Sequence, residues 1–153
     1  MNSGKSLLHQ LDMFGYSKMY IRELLEMFGC NVVVREEGFP LYDMEVVGAD
    51  KSISTISVNS DTDIANTGTI SVVLSRMING REIPSGLLQT KGEYYVFKVY
   101  GTPGAFCIDT EKLLKMYKDG KYQEIRADDN DSNTKVAVFD RQFLLDSCEK
   151  IVK

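Results

Sequence analysis

The chain has 153 residues, 43% hydrophobic and 26% charged, a balance that fits a single globular domain over 1–153 with a real core. Its 18 Lys and Arg against 22 Asp and Glu give a net charge of −4, without the basic footprint that usually announces a nucleic-acid binder. No window approaches the roughly 20 apolar residues that span a bilayer, and the N-terminus lacks the basic region and apolar run of a signal peptide. The expectation is an intracellular protein with no membrane partner.

In chain order, Leu7, Leu8, Leu11 and Phe14 make a one-sided helical pattern stopped by Gly15. Ser17 is placed to cap a second helix whose apolar face is Tyr20, Ile21, Leu24, Leu25 and Phe28, with Gly29 as its stop. The β-branched run Asn31 to Arg35 predicts the first strand. Leu41 to Val47 and Ile53 to Asn59 predict two more, joined by a turn over Gly48-Ala49-Asp50-Lys51-Ser52. Asp61 to Gly68 reads as a polar loop without the closing Glu of a calcium loop.

Thr69 to Ser75 predicts a fourth strand and Asn79-Gly80 a turn, with Ile83 to Thr90 a loop entering a short helical segment. Glu93 to Tyr100, aromatic and β-branched between glycines, is the clearest strand signal, and Ala105 to Ile108 pairs with it as a hairpin. Thr110 is placed to cap a helix with Leu113, Leu114 and Tyr117, ended by Asp119-Gly120. A long polar connection from Lys121 to Lys135 leads to a strand at Val136 to Phe139. Asp140 caps a last helix with Phe143, Leu144, Cys148 and Ile151 inward. Strands bracketed by helices predict an α/β fold, a mixed central sheet with helices on both faces.

Little ordinary enzyme chemistry is on offer. Cys30, Cys107 and Cys148 are odd in number and widely spaced, which fits reduced buried thiols rather than disulfides or zinc. His9 is the only histidine, which argues against a Ser or Cys triad. Gly101-Thr102-Pro103-Gly104 lacks the spacing and lysine of a phosphate loop. Arg76, Arg81, Lys91 and Lys98 gather in one region against Glu82 and Glu93, while Asp128-Asp129-Asn130-Asp131 is acidic.

Four stretches carry a resemblance. Phe39-Pro40-Leu41-Tyr42-Asp43-Met44 and Ile56-Ser57-Val58-Asn59 resemble the two halves of the PD-(D/E)XK nuclease motif. Thr67 to Val73 and Pro84 to Phe97 resemble further segments of its phage- and intron-encoded members. The resemblance implies a restriction-endonuclease-like fold in which two acids on adjacent strands hold Mg²⁺ and a lysine helps position the attacking hydroxide. Asp43 stands at the first acid, Ser57 at the second acid, Asn59 at the lysine and Val73 at a further acid. These three departures imply a nuclease-like protein that does not cut and needs no cofactor, acting by binding DNA or a protein partner.

A phage or mobile-element regulator, or an anti-defence factor, would be of this kind, and the resemblance implies a homodimer. In a DNA complex, Arg76, Arg81, Ser85, Thr90 and Lys91 are the candidate phosphate contacts. The alternative is an active Mg²⁺-dependent endonuclease with Asp43, Glu45 and Asp61 as metal ligands, Asp63 nearby, and Lys51 or Lys91 as the cation. A small interaction domain unrelated to nucleases is the third reading.

Overall fold

The computed structural model describes residues 16–36, 41–59, 67–99, 102–129 and 131–152. The expected helix before Gly15, His9 and the Asp61 loop lie outside these residues. The first elements are helix α1 (Tyr16–Met27) and strands β1 (Asn31–Val34), β2 (Met44–Val47), β3 (Ile53–Val58), β4 (Thr69–Ile78) and β5 (Arg81–Pro84). A 3-10 turn (Gly86–Leu88) leads to β6 (Tyr94–Phe97), β7 (Ala105–Asp109) and α2 (Thr110–Lys118). The chain then runs through β8 (Glu124–Ala127), β9 (Thr134–Asp140), α3 (Arg141–Asp146) and β10 (Glu149–Ile151).

Six strands form a mixed sheet in the order β1-β2-β3-β6-β7-β10, in which β3 and β6 run parallel and the other neighbours antiparallel. The remaining four form an antiparallel sheet, β5-β4-β9-β8. A parallel neighbour needs a long crossover, and here the crossover from β3 to β6 contains β4 and β5. The excursion from β7 to β10 supplies β8 and β9, so the second sheet is built from the connections of the first.

Two cores follow. On one face of the mixed sheet, Ile21, Leu24 and Leu25 of α1 pack on Met44, Val46, Ile56, Val96 and Ala105. On the other, Tyr95, Phe97 and Ile108 meet Ile70, Val72, Leu74, Ala137 and Phe139 of the second sheet, with Leu87, Leu113 of α2 and Leu144 of α3 closing the space. The mixed α/β sheet with helices on both faces is therefore present, and the second sheet is an addition to it. Strand β6 serves both cores: alternation sends Tyr95 and Phe97 one way and Val96 the other. Burial on both faces is why its sequence is a continuous apolar run.

Several boundaries differ from the sequence expectation. Ser17 lies inside the first turn of α1 and is buried, so it is a packed helix residue rather than the cap. Thr110 is the first residue of α2, and Asp109 occupies the cap position. Asp140 does cap α3, accepting a hydrogen bond from the Phe143 amide at 2.9 Å. Phe143 is exposed rather than inward, and the chain after α3 turns into β10.

The expected loop around Ile83 is strand β5, joined to β4 by Asn79 and Gly80, both left-handed (φ 49° and 76°), as a two-residue hairpin turn requires. The polar connection contains β8. The missed strands β5, β8 and β10 all lie at sheet edges, where little side chain is buried and alternation fades. Pro84 is tolerated at such an edge because no further strand needs its missing N–H.

Candidate functional site

The structure brings Asp43, Ser57 and Asn59 to one end of the mixed sheet. Met44 pairs with Ile56, so the preceding Asp43 stands beside Ser57, and Ser57 in turn pairs with Tyr95. Asp43 Oδ1 lies 3.0 Å from Lys18 Nζ of α1, and Oδ2 accepts the Val58 amide at 2.6 Å. Both carboxylate oxygens are thus engaged by the protein itself. Burial, with the Asp43 charge as a second cause, pushes the Tyr95 phenol above its ordinary range.

Ser57 is buried and hydrogen-bonded to Thr90 Oγ1. Thr90 donates its one proton to the Leu41 carbonyl at 3.1 Å and accepts from the Gly92 amide at 3.0 Å. Ser57 is therefore the donor in the pair. Position 92 must be small: a Cβ there would meet Ser57 Oγ at 3.0 Å and Thr90 Oγ1 at 3.2 Å. Thr90 is thus a structural hydroxyl joining β3 to the β6 approach, with no proton left for a phosphate.

Asn59 is 3% exposed, and among the described residues neither its side-chain oxygen nor its nitrogen has a hydrogen-bond partner. Its backbone amide donates to Val96 O at 2.8 Å, which fixes the strand end and holds the carboxamide inside.

Glu45 lies on the same strand face as Asp43 by alternation, but its carboxylate is held by Arg35 of the β1 end and by the Tyr42 hydroxyl. These contacts, the Tyr42 bond first and Arg35 second, hold its pKa below the usual carboxylate range. Asp61 lies outside the described residues, and among those described no three His, Cys, Asp or Glu side chains gather to hold a metal. Among the described residues the donor set does not fit a resident Mg²⁺: one carboxylate paired with an ammonium, one held by Arg35 and Tyr42, one hydroxyl and one carboxamide fall short of the hard anionic oxygens that ion prefers.

The basic residues separate. Arg76 and Arg81 are exposed on the β4–β5 hairpin, with no ion-pair or hydrogen-bond partner for either side chain among the described residues. Ser85 follows β5 and precedes the 3-10 turn without a side-chain cap bond. Exposed Lys91 sits at the Asp43 end, its amide bonded to Leu41 O at 2.7 Å. Lys98 leaves the expected basic group altogether. It is 6% exposed, donates to the carbonyls of Thr102 (2.6 Å) and Gly104 (3.2 Å), and lies 4.0 Å from the centre of the Tyr20 ring.

Lys18 is the site residue the sequence reading missed. The available signal was its position three residues before Ile21, which places both on one face of α1. The cysteines are free, and burial first of all pushes the thiols of Cys107 and Cys148 up to about 11 and about 12, the opposite of nucleophile activation.

No family model matches the chain, and no curated protein matches it. Among solved structures it is similar to a bacterial homing endonuclease, I-Ssp6803I, with a TM-score of 0.54 over 66% of this chain and 69% of that one. The chain has a nuclease-like fold. At 11% identity the likeness is one of architecture, and residue roles rest on the geometry given above.

Proposed function

We propose that this nuclease-like protein binds duplex DNA and does not cut it. The observation that carries the reading is the state of Asp43. It is the single carboxylate of the candidate motif, and Lys18 and the Val58 amide already occupy its two oxygens. The positions where the motif needs a second acid and a lysine hold Ser57 and Asn59, both buried. A metal ion would have to displace Lys18, and the neighbouring carboxylate among the described residues, Glu45, is already held by Arg35 and Tyr42.

DNA as the ligand is supported by the fold likeness to a homing endonuclease and by the exposed arginines Arg76 and Arg81. A net charge of −4 does not oppose this, because phosphate contact depends on local charge, and the hairpin carries it locally. A protein of this kind acts by occupying DNA, as a regulator or a block to other proteins.

The test is a labelled-duplex gel shift with Mg²⁺ or Mn²⁺, read for both retardation and cleavage. Retardation without cleavage is expected, with log affinity falling by about 0.9 per phosphate contact for each decade of salt. Cleavage that depends on the added metal would overturn the non-cutting reading. Absence of retardation at low salt would overturn DNA as the ligand.

A further inference from the structure

We propose that the β4–β5 hairpin is the DNA-reading element, entering the major groove with Arg76 and Arg81 directed at base edges. The inference rests on the DNA-binding reading above and deepens it. Strand β4 is ten residues long, and its pairing with β9 ends at Arg76 opposite Thr134. Beyond that point, from Ile78 through Asn79-Gly80 to Arg81, the described ladder partner is the hairpin itself.

Its two faces are chemically distinct. The register pairs Arg76 with Ile83 and Ile78 with Arg81, and because alternate pairs share a face, these four side chains lie together. The opposite face has Ser75 with Pro84 and Met77 with Glu82. The one carboxylate of the hairpin, Glu82, is thus on the far face, where Lys135 and Ser75 hold it. The arginine face carries two cations and no acid. Between them Ile78 and Ile83 are 52% and 39% exposed, apolar surface that no packing explains.

This chemistry matches a groove floor. A two-stranded ribbon fits a major groove about 12 Å wide, where the arginine fork bonds guanine O6 and N7 and apolar side chains meet thymine methyls. The left-handed Asn79-Gly80 turn keeps the tip small. Arg76 and Arg81 are diagonal neighbours, roughly 7–8 Å apart. At about 3.4 Å per base step, they would address guanines about two base pairs apart.

The experiment uses the whole chain and a duplex selected from a random library, probed by interference from guanine N7 methylation. Two interfering guanines about two base pairs apart are expected. Arg76→Ala should abolish one signal and Arg81→Ala the other, each lowering affinity for the selected duplex by roughly 5- to 150-fold. Arg76→Lys keeps the charge but loses the fork, so its guanine signal should weaken while non-specific retardation stays. Met77→Ala, on the opposite face, should leave the pattern unchanged. Retardation with an unaltered pattern in both arginine variants would overturn the hairpin assignment and leave DNA binding standing. Loss of retardation in the unmodified protein would overturn both.

Discussion

At the scale of single residues, Asn59 and Lys98 make an instructive pair. Both are buried and polar, yet their situations are opposite. Lys98 has two carbonyl acceptors and an aromatic face, so its charge is compensated where it lies. It ties the Thr102–Gly104 turn to α1, where Tyr20 also accepts the Gly104 amide at 2.8 Å. Asn59 has lost its hydration without gaining a partner among the described residues. A buried polar group left unsatisfied costs about 1–3 kcal/mol.

Replacing Asn59 by an apolar residue of similar size removes that cost, so Asn59→Leu should stabilise the protein by about 1–2 kcal/mol. Lys98→Met should destabilise it by about 1–3 kcal/mol through its stranded carbonyls. Urea midpoints at an unchanged slope provide the reading. A lower midpoint for Asn59→Leu would mean that the carboxamide is held by a group outside the described residues.

At the scale of elements, legibility followed burial. Strand β6 was plain in the sequence because Tyr95, Val96 and Phe97 are enclosed from both sides. The hairpin turn was plain because Asn79-Gly80 is local chemistry. Strand β5, Arg-Glu-Ile-Pro, was not, because every one of its residues is exposed and its strand character comes from pairing with β4. The site divided in the same way. Asp43, Ser57 and Asn59 were visible because two strands adjacent in the chain bring them together, whereas Lys18 reaches Asp43 from a helix whose docking no local pattern encodes.

The root of the hairpin carries a pH dependence. Lys135 first, and Ser75 second, hold the Glu82 pKa below its ordinary 4.5. A depressed folded pKa means that the bridge stabilises the hairpin root fully above pH 4.5 and loses that effect as pH falls through the folded value. Hairpin amide protection, corrected for intrinsic exchange, should therefore decline below pH 4.5 and stay flat from pH 5.5 to 7. Glu82→Gln should show the lower protection throughout and lose the acid dependence. An unchanged acid decline in that variant would assign the titration to another carboxylate.

At the scale of the whole molecule, the two cores raise the question of whether the protein unfolds as one unit. Each has its own packing set, α1 against one face of the mixed sheet and the second sheet against the other. They share β6, whose alternate residues belong to each, and the second sheet is threaded through the crossovers of the first. Freeing either core exposes one side of β6 and removes support from the other. Coupling of this kind favours a single transition. Met44, fully buried in the α1 core, and Phe139, fully buried between the sheets, separate the alternatives. Met44→Ala should cost about 2–5 kcal/mol and Phe139→Ala about 3–5 kcal/mol. Each should lower one and the same transition, coincident by far-ultraviolet circular dichroism and by the near-ultraviolet tyrosine signal. Two resolved transitions, with Met44→Ala moving only one, would show that the cores are independent.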